Sequence, residues 1–234
     1  MNPDEPAGES GEPPVRIGRI GRITTVVAVL VPIALLGLTL LAEGSRFHGA
    51  LVRESGILEW AQVVALGVGA WALGSAALAT TGRTRTAFAV ATAGVVVVIG
   101  EEVAWGTHLI GSGIGFIESR NEQGDTTLHN LSGGLDASFA GLAMVALVLA
   151  GLVAVRWEPF REVPMAVVWW LLVPAAFAVY RLLAGDVAYH VAKISEAAEL
   201  VFALAVAYLS LAARRRVAFT DRSTAGTGLE ARGA

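Results

Sequence analysis

The chain has 234 residues, 55% of them hydrophobic and 16% charged, with a formal net charge of −3 and a mean hydropathy of +0.63. Soluble domains of this length carry more charge, so the composition argues against an ordinary water-soluble fold and predicts an all-α polytopic membrane helix bundle. The absence of cysteine excludes disulfides and thiolate metal sites, and no basic surface interleaved with aromatics suggests nucleic acid as a partner.

In chain order, residues 1–22 begin with MNPDEPAGESGEPP, too polar and too rich in Pro and Gly to bury a core, and are expected to be a disordered cytoplasmic segment. Arg16, Arg19 and Arg22 precede the first apolar run, 24–42. This run is longer than the h-region of a signal peptide and lacks a small-x-small cleavage site, so it reads as a retained span. Further spans are expected at about 56–80, 87–106, 135–155, 163–183 and 187–213, giving a transmembrane domain over 23–213. A polar outer connection covers 107–132, and a disordered cytoplasmic tail is expected at 214–234.

Six spans with a cytoplasmic N-terminus put Arg16, 19, 22, 83, 85, 156, 161, 214, 215, 216, 222 and 232 inside. Arg46, Arg53, Arg120, Arg181 and Lys193 fall outside. That distribution follows the positive-inside rule through every loop and predicts both termini in the cytoplasm. The triplet Arg214–Arg216 reads as a topology anchor, with contact to anionic lipid headgroups as a second role.

The same topology collects the acids on the outer side. Glu59 opens the second span, Glu101 and Glu102 lie near the end of the third, and Glu196 and Glu199 lie near the start of the sixth. Ala87–Gly100 is too short to cross the hydrocarbon, so the third span is expected to continue through Glu101, Glu102 and Trp105. In such a helix Glu101, Trp105 and His108 share a face. Carboxylates within a span are costly and turn toward the bundle or a watery cavity. Their plainest role is an ion pair with Arg181 or Lys193 that orients the helices; the sharper one is a functional site.

The run GEEVAWGTHLIG followed by ESRNEQGDTTLHNL resembles a family of uncharacterised bacterial polytopic membrane proteins. The signature of that family reads approximately G-E-E-I-S-W-G-Q, then N-x-Q-G-E-x-N-L-H-N-L. Glu101, Glu102, Trp105, Gly106, Asn121, Gln123, Gly124, Leu128, His129, Asn130 and Leu131 match it. Asp125 and Thr127 replace a glutamate and an asparagine, and Thr107 stands where the pattern has glutamine. The resemblance implies a bacterial plasma-membrane protein with a shared site, but it names no reaction.

These lines converge on Glu101, Glu102 and His129 as candidate catalytic residues. Glu59, Trp105, Asn121, Gln123, Asp125, Asn130 and Arg181 are candidates to bind substrate or support the site. Carboxylates and histidines without cysteine suit a divalent cation such as Zn, Mn or Mg, for which Glu102, His129, His190, Glu196 and Glu199 are the candidate ligands. The expected function is a metal-dependent hydrolase or transferase acting on a lipid-linked or amphipathic substrate of the bilayer. A proton- or cation-coupled transporter and a non-catalytic membrane scaffold are the alternatives. No H-x-x-x-H or H-E-x-x-H motif is present, so any metal site must be assembled from distant elements.

Overall fold

The computed structural model describes residues 56–103, 135–161, 163–184 and 189–230, together with isolated helical positions between 26 and 41. For 135–143, 178, 181–184, 189–195 and 220–230 it describes the backbone alone. Among the described residues the chain is all-helical, with no strand. The helices are α1 (Ile57–Leu78), α2 (Gly82–Glu102), α3 (Leu135–Ala154), α4 (Ala166–Ala184) and α5 (Tyr189–Glu230), with a 3₁₀ turn at Glu158–Phe160 before α4. Among the described residues, three segments are long and apolar enough to cross a membrane: α1, α2 and Glu196–Phe219 of α5. The apolar stretches Met144–Ala154 and Ala166–Phe177, within α3 and α4, are shorter.

α1 buries Leu58, Gln62, Ala65, Leu66, Gly69, Ala72, Leu73 and Ala76. Steps of three and four residues make this a single stripe along the helix. The stripe is rich in Ala and Gly, so the backbone it faces can approach closely. That partner is α5: a Cβ added at Gly69 would lie 3.4 Å from Val206 Cγ1, 3.5 Å from Ser210 Oγ and 3.6 Å from Ala207 Cα. Gln62 lies near Glu196, Gly69 near Val206–Ser210, and Trp71 under Arg214. Both numberings therefore rise together, and α1 and α5 run parallel.

α2 returns antiparallel to α1 through the short connection Ala79–Thr81, with Gly82 at φ +58° allowing the sharp turn. α4 packs on α5 and α3 on α4, so the helices follow the spatial order α2, α1, α5, α4, α3. Trp170 and Tyr208 meet edge-on between α4 and α5, with ring centroids 6.5 Å apart. Pro174 lies inside α4 and is buried there, which the packing of an apolar bundle tolerates. Leu35, from the first apolar run, packs against the cluster of Leu58, Ala197 and Leu200.

Two boundaries differ from the sequence reading. α2 gains its length at the other end, starting at Gly82 and ending at Glu102 with Val103 as its C-cap. Arg83 and Arg85 are thus inside the helix and exposed, their long stems able to carry the charge to a polar interface. Trp105 and His108, expected on one face with Glu101, lie outside the described residues. At the chain's other end, α5 does not stop at 213 but continues to Glu230. Extending an existing helix requires no new nucleus, and the Arg216–Glu158 ion pair holds the extension at 2.6 Å.

α3 ends in a Schellman motif: Trp157 N–H donates to Leu152 O at 3.0 Å and Arg156 N–H to Val153 O at 3.1 Å. Arg156 occupies the left-handed position usually given to glycine, at φ +55°. Its guanidinium Nη1 donates to Val163 O at 2.6 Å and Arg161 O at 3.1 Å. The side chain thereby fastens the α3–α4 connection, offsetting a left-handed backbone that costs about 1 kcal/mol.

Candidate functional site: a carboxylate cluster at one end of the bundle

Helix direction decides which acids can meet. α1 and α5 begin at the end where α2 finishes, so the first turn of α1, the last turn of α2 and the early turns of α5 are neighbours. Glu59, Glu101, Glu102, Glu196 and Glu199 are all half-buried there. The charges of Glu196, Glu59 and Glu101 all reach Glu102. Three helices thus bring carboxyl groups to the same end of the bundle, within electrostatic reach of Glu102. From α5 it is Glu196 whose charge acts on Glu102; Glu199 follows three positions along the helix.

Gln62, in the second turn of α1, supports this arrangement. It is buried, and its Nε2 donates to the backbone carbonyl of Glu196 at 3.1 Å. The bond fixes α1 against the segment of α5 that carries Glu196. Sequence reasoning gave Gln62 no role. The available signal was its amide, placed inside an otherwise apolar run where a polar group needs a partner. Ser210 is the other buried polar side chain among the described residues, and its hydroxyl donates to Val206 O of its own helix at 2.7 Å.

The remaining candidates divide into two groups. Arg181 stands in the last turns of α4 and His190 in the first turn of α5, both described by backbone only. Trp105, Asn121, Gln123, Asp125, His129 and Asn130 lie outside the described residues. Among the described residues, no three His, Asp or Glu side chains are placed to hold one metal ion. The described carboxylates are a cluster of like charges, and they do not by themselves make a metal centre.

The opposite end of the bundle is basic. Arg83, Arg85, Arg156, Arg161, Arg214, Arg215 and Arg216 all lie there: the clefts beside the Glu158–Phe160 turn bring Thr80 and Thr84 of the α1–α2 hairpin next to Arg216, Trp157 and Glu158. Arg214 stacks over the Trp71 ring at 4.0 Å. Between the acidic and basic ends, the described core is apolar apart from Gln62 and Ser210. No protein-family model, curated protein or solved structure matches the chain.

Proposed function

We propose that the chain is a six-span protein of the bacterial plasma membrane with both termini in the cytoplasm. In this reading its carboxylate cluster, at the extracytoplasmic end, catalyses hydrolysis or group transfer on a lipid-linked or amphipathic substrate. The observation that carries the reading is that three helices bring Glu59, Glu101, Glu102 and Glu196 to the same end of the bundle, where the charges of the other three act on Glu102. Carboxyl groups gathered inside a bundle are costly and are retained where they act on something. Alongside α1, α2 and α5, two further spans are supported by α3 and α4, at 20 and 19 residues, since about 20 residues cross the hydrocarbon; the remaining one, 24–42, rests on its apolar sequence. Orientation is supported by the gathering of arginines at one end and carboxylates at the other.

Glu102 is half-buried, at the end of a helix and among like-charged neighbours, and serves as the general base, taking a proton from the attacking nucleophile and returning it to the leaving group. Glu101, Glu59 and Glu196 stand within electrostatic reach of it. His129 enters with Trp105, Asn121, Gln123 and Asn130 on the strength of their match to the G-E-E … L-H-N-L signature, and Asp125 enters as the acid that replaces the signature's glutamate. A Zn, Mn or Mg ion bound there would draw on Glu102, His129, His190, Glu196 and Glu199 and polarise the substrate. No step above depends on it, because the described side chains supply no set of three ligands.

A proton- or cation-coupled transporter is the second reading, favoured by the same cluster. Against it stands the apolar interior between the two ends, where the described buried polar groups, Gln62 and Ser210, are both hydrogen-bonded. One experiment separates the readings. Purified protein is reconstituted into vesicles containing a polyprenyl diphosphate, and both phosphate release and proton flux are followed. Release that falls at least about 100-fold in Glu102→Gln, with helix content unchanged, supports the enzyme. Proton flux lost in the same variant, without product, replaces it with the transporter. Equal loss of stability in Glu102→Gln and His129→Ala, with neither activity, leaves a scaffold.

A further inference from the structure

At the basic end, beside the Glu158–Phe160 turn, lies an open cleft of about 380 Å³ whose lining includes Val163, Tyr208, Leu211, Arg215, Arg216 and Phe219. Leu211, Arg215 and Phe219 follow one another at four-residue steps and so stack along one face of α5. The lining joins apolar side chains to the guanidinium groups of Arg215 and Arg216. Phe219 lies beyond Arg215, 66% exposed, at the level where aromatic side chains favour the headgroup region.

The cationic groups of this end are not equivalent. Arg216 is paired with Glu158 at 2.6 Å, Arg214 lies on the Trp71 ring, and Arg156 is bonded to backbone carbonyls. Arg215 is exposed, and among the described residues it has no carboxylate partner. Glu158, the carboxylate lining the cleft, is already neutralised by Arg216. The cleft therefore offers one uncommitted guanidinium above an apolar groove, within an end whose summed charge is strongly positive.

We propose that this cleft is a binding site for an anionic phospholipid of the leaflet facing the basic end. The phosphate sits at Arg215, and one acyl chain lies along Leu211, Tyr208 and Val163 toward the bundle interior. Three features select this ligand. The lining is amphipathic, with the Arg215 guanidinium beside the apolar side chains of Leu211, Tyr208 and Val163. The cleft is open, so a chain can enter sideways from the bilayer. The end rich in arginine is the one the positive-inside rule turns to the anionic cytoplasmic leaflet. The proposal needs the chain to span a bilayer but is independent of the carboxylate chemistry at the other end.

The test is native mass spectrometry of full-length protein released from vesicles of equimolar phosphatidylglycerol and phosphatidylcholine, counting the bound lipid of each kind. The wild type is expected to retain phosphatidylglycerol preferentially. Arg215→Gln is expected to lower that preference about fivefold, while Arg215→Lys largely keeps it. Leu211→Trp fills the groove and lowers retention without altering charge. Arg83→Gln removes the same charge from the same end outside the cleft, and is expected to change retention less than about twofold. The proposal is overturned if Arg83→Gln weakens retention as much as Arg215→Gln, which would mean diffuse attraction. Unchanged retention in Leu211→Trp, or displacement of the lipid by inorganic phosphate, overturns it equally. Helix content by circular dichroism, measured on each variant, assigns any loss to the cleft or to unfolding; Arg215→Lys and Leu211→Trp decide the matter if Arg215→Gln does not fold.

Discussion

Gln62 is buried to 1% exposure in a helix that is otherwise apolar on the same face. Its amide reaches across to a carbonyl of α5 at 3.1 Å, and that carbonyl belongs to Glu196, a member of the acidic cluster. Replacement by leucine keeps the volume and removes one donor. Hydrogen bonds between helices in lipid contribute about 0.6 kcal/mol on average, so Gln62→Leu is expected to destabilise by about that much. Gln62→Glu is expected to cost more: a carboxylate has no donor for the Glu196 carbonyl and adds charge beside the acids already present. Unfolding in mixed micelles at neutral pH measures both, and equal stability of the two variants would remove Gln62 from the support of the site.

At the scale of elements, the connection between α3 and α4 is held to α5 by Glu158 and Arg216 at 2.6 Å. The hydrogen bond from Arg216, followed by the charge of the same guanidinium, holds the Glu158 carboxyl below its ordinary range. A carboxylate whose folded value is depressed adds stability above its unfolded value and loses it as pH falls through the folded one. The contact is therefore expected to be intact at neutral pH and to loosen below the ordinary glutamate range. Glu158 is exposed, so salt should weaken the pair as well. Fluorescence of Trp157, the neighbouring residue in the turn, followed against pH in wild type and Glu158→Gln, checks this. The transition is expected in the wild type only, and a matching transition in the variant would assign it to another group. The elements also show what the sequence made legible. Apolar runs with caps or arginines at their ends are read directly, and Ile57–Leu78 falls within the expected 56–80. The start of α2 was harder to read, because Arg83 and Arg85 look like a loop although long cationic side chains can stand in the first turns of a helix. The pairing of α1 with α5 depends on tertiary packing. Its trace in the sequence is the small-residue stripe Ala65, Gly69, Ala72, Ala76, which indicates a close partner without naming it. For the acids, sidedness along the chain is read from the sequence, whereas their reach to Glu102 depends on where α2 ends and on the parallel course of α1 and α5.

At the scale of the whole molecule, the separation of charge along the bundle is the property with the most direct consequence. Among the residues whose side chains are described, seven arginines occupy one end, at 83, 85, 156, 161 and 214–216, and five glutamates the other, at 59, 101, 102, 196 and 199. Lys and Arg resist transfer to the outer side of a bacterial membrane, so the charge distribution and the proposed orientation make one prediction. The chain contains no cysteine, which allows a single introduced thiol to be labelled without background. Gly56→Cys lies immediately before α1 at the acidic end, and Thr81→Cys lies in the α1–α2 connection at the basic end. In intact cells a membrane-impermeant maleimide is expected to label the first and to reach the second only after permeabilisation. Because α1 is a single helix of 22 residues between the two positions, opposite accessibility also requires that it cross the bilayer. Labelling of both thiols from outside would leave α1 lying on the membrane, and the reverse pattern would turn the carboxylate cluster toward the cytoplasm. Either result would remove the extracytoplasmic site, while the gathering of the four glutamates at one end would stand and demand a different substrate.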